Sequence, residues 1–176
     1  MSKHTVLITG AAGYVGGMLV RAIGKREDVE RIIGLDKEPL PDFIKDVPNL
    51  TYLQINTADN WEEEVRTYSP DIVIHTAWQI REIYGDRPLS WKWNIDGSEK
   101  VFTFALQERQ IKRLIHYSTV ASYGAFPENT TEHRYVESEQ FRKTEYLNAA
   151  EKRIAGGGRE AAYKKRTNAA TVAIIR

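Results

Sequence analysis

This chain of 176 residues contains no cysteine, carries little net charge and has no long apolar run. Without a thiol, disulfide bridges and thiolate chemistry are excluded. The net charge is only +1 and the basic residues are scattered, so the sequence gives no reason to expect nucleic acid or an acidic surface as a partner. No apolar run approaches the roughly 18 residues that a membrane-spanning helix needs.

The start of the chain leaves no room for a signal peptide before the first predicted strand, which begins near residue 4. Together with the missing membrane span, this makes a cytoplasmic protein without a membrane partner our expectation. The length allows one domain with a core of its own, which we expect to span residues 1–176.

Short apolar runs alternate with helical patterns along the chain. We predict six strands, of which the first, fourth and fifth are nearly all apolar: 4–9, 30–36, 50–55, 71–77, 113–119 and 170–176. Helices are predicted between them, with three glycines at 156–158 ending the last one: 14–26, 60–68, 94–110 and 138–155. This alternation predicts an α/β fold with a doubly wound parallel sheet and right-handed crossovers.

The first predicted strand runs into three glycines spaced three apart, Gly10, Gly13 and Gly16. Gly10 permits a tight turn, Gly13 lets the backbone approach phosphates, and Gly16 lets the following helix pack on the strand. Backbone N–H groups and the positive end of the helix dipole then face an anion. This loop, which includes Tyr14 and Val15, predicts a dinucleotide pyrophosphate site. The alternative is a plain strand–turn–helix whose glycines serve only for turning.

Asp36 follows the last glycine of this loop by twenty residues, at the end of the second predicted strand. A carboxylate at that place accepts hydrogen bonds from the ribose hydroxyls of adenosine and repels a 2′-phosphate. We therefore predict NAD as the cofactor, with NADP disfavoured, although Lys37 next door would soften that preference.

Further motifs follow the glycine loop in a fixed order: the apolar segment 71–77, an Asn94-Ile-Asp-Gly97 segment, the run 118–124 that ends in Tyr-Gly, and a sixth strand closed by Arg176. With them the chain resembles the NAD-binding part of an extended short-chain dehydrogenase/reductase, of the NAD-dependent epimerase/dehydratase kind. The resemblance covers essentially the whole chain and implies a Rossmann fold. It also implies that the family's C-terminal substrate domain is missing, so we expect a fragment or a truncated product.

Beyond the glycine loop and Asp36, the resemblance implies cofactor contacts from Asn56, Thr57, His75, Thr76, Ala77, Asn94 and Lys152. The family usually places an aspartate where Asn56 and Thr57 end the third strand. His75 is alternatively a satisfied core histidine, since the family uses this segment mainly through its backbone and shape. Asn94 either holds a water or the backbone near the catalytic group or caps the helix predicted at 94–110.

The catalytic residues that the resemblance implies are incomplete. Thr119 takes the place of the hydroxyl that hydrogen-bonds the reacting oxygen. The family also needs a tyrosine and a lysine at i and i+4, where the lysine holds the nicotinamide ribose and lowers the pKa of the tyrosine. No Tyr-x-x-x-Lys occurs here. Either Lys152 is the family lysine, with Asn148 in the place of the tyrosine, or Tyr146 is the tyrosine, with Ala150 replacing the lysine. The layout favours the first register.

Two functional hypotheses follow. The first is an NAD-dependent oxidoreductase-type enzyme, an epimerase or dehydratase, acting on a hydroxyl or keto group of a small molecule such as a nucleotide sugar. The second is a catalytically degenerate NAD-binding module, a sensor or scaffold, or a truncated fragment without activity. The glycine loop and Thr119 favour the first hypothesis, and the incomplete tyrosine–lysine pair favours the second. No metal site is predicted, and the resemblance implies a homodimer through the helices near 94–110 and 138–155.

Overall fold

Strands and helices alternate in the computed structural model, which describes residues 3–80, 86–124, 126–142 and 147–176, and only the backbone of residues 147 and 148. The first half contains β1 (His4–Thr9), α1 (Tyr14–Ile23), β2 (Val29–Asp36), β3 (Leu50–Gln54), α2 (Glu62–Thr67) and β4 (Ile72–His75). The second half contains α3 (Arg87–Trp91), a π-helical segment (Lys92–Asp96), α4 (Gly97–Gln107), β5 (Arg113–Tyr117), a 3₁₀ turn (Val120–Tyr123), α5 (Leu147–Lys164) and β6 (Thr171–Ile175).

The six strands form one parallel sheet in the order β3-β2-β1-β4-β5-β6. From β1 the chain proceeds through β2 and β3 on one side, and through β4, β5 and β6 on the other. The strand order therefore reverses between β1 and β4. The connections that leave these two strands diverge, which opens a crevice at the carboxyl ends of the strands. This confirms the predicted doubly wound parallel sheet with six strands.

Apolar side chains cover both faces of the sheet. Alternate residues of β1 serve the two layers, because Leu7 packs with the layer that contains α4, and Val6 and Ile8 pack with the layer that contains α1. All three side chains are at most 2% exposed. Burial on both faces explains why this strand is nearly all apolar. Each fully buried side chain of this size contributes about 1.5–3 kcal/mol.

The last predicted helix is wrong at both ends. Residues 137–139 form a turn and residues 140–142 are not helical, so no helix begins at residue 138; α5 is described over Leu147–Lys164. The three glycines at 156–158 lie inside α5, which continues to Lys164. Their low helix propensity is overridden by tertiary packing, because Ala155 before them is buried in the core and Ala162 after them packs against it.

The predicted helix at 94–110 also differs from the structure. Its first three positions belong to the π-helical segment, and the regular helix α4 runs from Gly97 to Gln107. Within the described ranges, no helix combines the length and the apolar composition that crossing a bilayer requires.

Gly157 offers a direct test of the glycines within α5. A Cβ at this position meets nothing within 4 Å, so Gly157→Ala adds no clash and reduces the backbone entropy of the unfolded chain. We expect the free energy of unfolding to rise by about 0.5–1 kcal/mol, measured by urea denaturation. Gly16→Ala is the contrasting variant, because its Cβ would lie 2.0 Å from the Gly10 oxygen and the fold must shift. A loss of stability in Gly157→Ala would contradict the placement of Gly157 inside α5.

Candidate functional site

A cleft with a cavity volume of about 220 Å³ lies where the strand order reverses. Its walls come from the turn after β1, the ends of β2 and β3, the segment after β4, and the π-helical segment. The location agrees with the general rule that doubly wound sheets bind ligands at the carboxyl ends of strands next to the switch point.

The turn between β1 and α1 packs so closely against its neighbours that two of its glycines have no room for a side chain. Gly10 has a φ of +77°, and a Cβ there would lie 2.5 Å from the backbone nitrogen of Ala77. A Cβ on Gly16 would lie 2.0 Å from the oxygen of Gly10. Helix α1 begins after Gly13 without a side-chain cap, so its first N–H groups remain available to an anion.

Asp36 connects the end of β2 to this turn. Its Oδ2 accepts a hydrogen bond from the backbone N–H of Ala12 at 3.0 Å, and its Oδ1 accepts one from the N–H of Glu38 at 3.0 Å. The carboxylate therefore fixes the glycine turn and also places negative charge at this end of the cleft. The neighbouring Asn56 accepts a hydrogen bond from the N–H of Ala58 at 2.9 Å, which orders the loop after β3.

Asn94 organises the part of the cleft wall formed by the segment after β4 and the π-helical segment. It is 1% exposed, and its Oδ1 accepts a hydrogen bond from the N–H of Gln79 at 2.8 Å. Its Nδ2 donates to the carbonyl oxygen of Gln79 at 3.0 Å and to Oε2 of Glu151 at 2.7 Å. The interpretation of Asn94 as a helix cap is wrong, because the residue lies inside the π-helical segment and holds the backbone that follows β4.

Lys152 projects from α5 toward the end of β5. Its Nζ donates to the carbonyl oxygen of Tyr117 at 2.7 Å and lies 3.8 Å from the ring centroid of Trp78. Burial lowers the pKa of Lys152 to about 7. Thr119 follows two residues after Tyr117, and its Oγ1 accepts a hydrogen bond from the N–H of Ala121 at 3.2 Å. The hydroxyl proton of Thr119 is thus left to donate elsewhere.

Residues 6–157 match the profile of the NAD dependent epimerase/dehydratase family. The chain belongs to this family. The match covers the glycine turn, the cleft and the first half of α5, and it confirms the resemblance seen in the sequence.

Two curated relatives and two solved structures show how far the similarity extends. The dTDP-glucose 4,6-dehydratase of Neisseria gonorrhoeae is 30% identical over 144 residues, which are 69% of this chain and 40% of the relative. An uncharacterized protein of Methanocaldococcus jannaschii is 24% identical over 139 residues, 70% of this chain and 42% of the relative. The chain thus spans less than half the length of these family members.

The structural neighbours establish the fold. The Bordetella bronchiseptica enzyme WbmH, solved in complex with NAD+, gives a TM-score of 0.81 at 21% identity and is matched over 99% of this chain and 55% of its own. The UDP-glucuronic acid 4-epimerase of Bacillus cereus, solved with NAD, gives 0.79 at 18% identity over 98% of this chain and 56% of its own. Both similarities run through the whole six-stranded sheet.

Most of the predicted cofactor residues line the cleft in this family member: Gly10, Gly13, Asp36, Asn56, Thr57, Thr76, Ala77 and Asn94. Tyr14, Val15, Gly16, His75 and Lys152 do not line it. The Tyr14 side chain is 81% exposed and Val15 is 41% exposed, whereas Gly16 is buried beneath the turn.

The structure brings only part of the predicted catalytic set together. Thr119 and Lys152 both lie at the carboxyl end of β5. Asn148 lies one turn before Lys152 in α5, as the first register requires, although its side chain is outside the described part of the structure. Tyr146, the residue of the second register, lies outside the described residues.

Sequence reasoning missed Ala12, Glu38 and Gln79, which also line the cleft. Ala12 and Gln79 take part in the described hydrogen bonds through backbone groups, which residue type does not reveal. Glu38 lies in the bend after β2, where strand alternation no longer predicts the direction of a side chain. Among the described residues, no cluster of three or more histidine, aspartate or glutamate side chains could hold a metal ion.

The imidazole of His75 lies in the core rather than in the cleft. Its Nδ1 is 2.7 Å from Oγ1 of Thr9 and its Nε2 is 2.9 Å from Oγ of Ser98. It stacks at 5.5 Å on His116, whose two ring nitrogens have no hydrogen-bond partner among the described residues. Burial, reinforced by the charge of Lys152, lowers the pKa of His75 to about 3, and burial also lowers the pKa of His116. The structure therefore favours the core alternative for His75.

These two histidines predict a loss of stability in acid. An unfolded histidine has a pKa of about 6.5, so below that pH the unfolded chain binds protons that the folded core rejects. The contribution of the neutral histidines to the free energy of unfolding is fully present above this pH and declines as the pH falls. Between about pH 7.5 and 5.5 each histidine contributes a loss of about 1.4 kcal/mol.

His116→Leu should remove one such contribution, so urea denaturation across this pH range should show a shallower decline. The contrasting variant is His133→Gln, which alters an exposed pair with Glu139 and leaves both buried rings in place. An unchanged pH dependence in His116→Leu would show that protonation of the His116 imidazole does not cause the loss of stability in acid.

Proposed function

We propose that this chain binds NAD in the cleft, with the pyrophosphate against the glycine turn and the first N–H groups of α1. The observation that carries the proposal is the turn itself, in which Gly10 at a φ of +77° and the uncapped start of α1 open onto the cleft. Asp36 lies at one end of the cleft to accept the ribose hydroxyls. Family membership supports the proposal, as do the solved neighbours that contain NAD.

Gly13→Ala tests the cofactor site. A Cβ on Gly13 would meet only the oxygen of Gly10, at 3.2 Å, so the fold should tolerate the methyl group. The same methyl group would project where a pyrophosphate must approach the backbone, and we expect NAD to bind at least about tenfold more weakly, a difference of about 1.4 kcal/mol. Calorimetric titration with NAD provides the measurement.

Gly157→Ala is the matched control for this titration, because it adds the same methyl group to α5, where nothing lies within 4 Å. NAD should bind this variant as it binds the wild type. NAD should also raise the melting temperature of the wild type, since a ligand that binds only the folded state stabilises it. A wild-type melting temperature that millimolar NAD leaves unchanged would refute the proposal.

The chemistry proposed for this site is oxidoreduction at a hydroxyl or keto group of a nucleotide sugar. NAD, when bound, supplies the hydride acceptor. The hydroxyl of Thr119 would hydrogen-bond the reacting oxygen, and Lys152 would hold the nicotinamide ribose. As the hydride of a substrate alcohol passes to NAD, the amine of Lys152 would take up the proton that the hydroxyl loses. The support is the position of both residues at the end of β5, together with curated and solved relatives named as dehydratases and epimerases of sugar nucleotides.

A NAD-binding module without turnover is the second candidate. The observation that favours it is the residue one turn before Lys152, because Asn148 cannot form a phenolate or carry the substrate's proton. The pKa of about 7 at Lys152 favours the enzyme instead, since such an amine can exchange protons near neutral pH.

Lys152→Met separates these two candidates. With NAD and a set of UDP- and dTDP-sugars, the wild type should form NADH or isomerised sugar, measured by absorbance and chromatography. Lys152→Met should lose at least about a hundredfold in turnover, the order expected for a positioned proton-transfer group. The exposed Lys25 gives the control Lys25→Met, with unchanged turnover. If the wild type binds NAD but turns over none of these sugars, the second candidate, an NAD-binding module, is supported and the enzyme is not.

A homodimer through α4 and α5 stays a prediction. The two helices pack against each other, and Phe102, Phe104 and Leu106 are buried in the core of the same chain, so they are not available to a partner. Ile154 on α5 remains 37% exposed and supplies apolar surface for such a contact.

A further inference from the structure

The ribose end of the cleft contains a group of charged and aromatic side chains that the proposed pyrophosphate site does not use. We call Asp36, Lys37, Glu38 and Trp93 the ribose corner; all four line the cleft. The Nζ of Lys37 donates to the carboxylate of Glu38 and lies 4.6 Å from the ring centroid of Trp93. The only cation of this corner is thus held by a carboxylate and by an aromatic ring.

The backbone of the corner is fixed by bonds to β3 and to Asp36. The N–H of Glu38 donates to Oδ1 of Asp36 at 3.0 Å, and the hydroxyl of Tyr52 donates to the carbonyl oxygen of Glu38 at 2.6 Å. Nε2 of Gln54 reaches the carbonyl oxygen of Lys37 at 3.4 Å. These bonds hold the backbone of residues 36–38 beside the cleft.

The balance of charge in the corner is negative, with two carboxylates against one ammonium group. Tyr52 lies next to these carboxylates, and burial together with the charges of Asp36 and Glu38 raises the pKa of its phenol. A 2′-phosphate adds nearly two negative charges to the ribose, whereas a 2′-hydroxyl adds none and can donate to a carboxylate.

We propose that the ribose corner selects a dinucleotide with a free 2′-hydroxyl, and that Glu38 decides this by holding Lys37 against Trp93. Asp36 alone would leave Lys37 free to turn toward the ribose and form a charge-assisted bond to a 2′-phosphate. With Glu38 present, that bond requires breaking the Lys37–Glu38 pair and bringing the phosphate beside a second carboxylate. The inference rests on the proposed NAD site and names the residue that gives it specificity.

Glu38→Gln tests this assignment through two titrations, one with NAD+ and one with NADP+. The wild type should bind NAD+ at least about tenfold more tightly than NADP+. Glu38→Gln removes one negative charge and releases Lys37, so NADP+ should bind about five- to tenfold more tightly than to the wild type. The change in NAD+ affinity should be smaller, because the 2′-hydroxyl carries no charge.

The double variant Lys37→Gln with Glu38→Gln separates release of the lysine from loss of the carboxylate. If Lys37 binds the 2′-phosphate once it is free, the added lysine substitution should abolish most of the gain in NADP+ affinity. The gain should also shrink as salt is raised, because these groups are partly exposed and their charges are screened.

Glu64→Gln is the matched control, since it removes the same charge from an exposed position on α2 outside the cleft. It should alter neither affinity. Equal wild-type affinity for the two dinucleotides, or no change in NADP+ binding by Glu38→Gln while NAD+ binds, would overturn the inference and leave the NAD site standing. Failure of the wild type to bind either dinucleotide would refute the proposed function itself.

Discussion

Close backbone packing between the turn after β1 and the segment after β4 is the constraint on which the cleft depends. The oxygen of Gly10 occupies the place that a Cβ on Gly16 would need, and Ala77 occupies the place that a Cβ on Gly10 would need. Thr76 joins the same two segments, since its hydroxyl donates to the oxygen of Thr9 at 2.7 Å. Parallel strands alone would separate these connections, but here they meet with backbone against backbone. The first turn of α1 is held toward the cleft because of this contact.

A second framework of buried polar groups attaches α5 to the sheet. Asn94 bridges the backbone after β4 to Glu151, and the adjacent Lys152 reaches the end of β5. Glu151 is 4% exposed and Lys152 is 6% exposed, so both are costly to bury and each needs its hydrogen bond. This cost sets the lowered pKa of Lys152. The burial that disfavours the charged form of Lys152 therefore also brings its pKa close to neutral pH.

Features that depend on neighbouring residues in the chain could be predicted from the sequence, whereas features that depend on contacts between distant residues could not. All six strands and the glycine turn could be predicted, because apolar runs and glycine spacing are local signals. The passage of α5 through three glycines could not, since packing of Ala155 and Ala162 in the core decides it. Asp36 was expected at the cleft, but its bond to Ala12 joins residues 24 positions apart. Asn94 was identified by resemblance, while its partners Gln79 and Glu151 depend on how α5 docks.

The π-helical segment links two sets of contacts in the wall of the cleft. Its single widened turn carries Trp93, which contacts Lys37, and Asn94, which holds the backbone of Gln79. Consecutive residues thus contact two different segments of the cleft wall. A regular α-helical turn would rotate them by about 100° per residue and add one fewer residue to the turn. Any rearrangement of this turn would displace Trp93 and Asn94 together, so the contact with Lys37 and the hold on the backbone of Gln79 are mechanically linked.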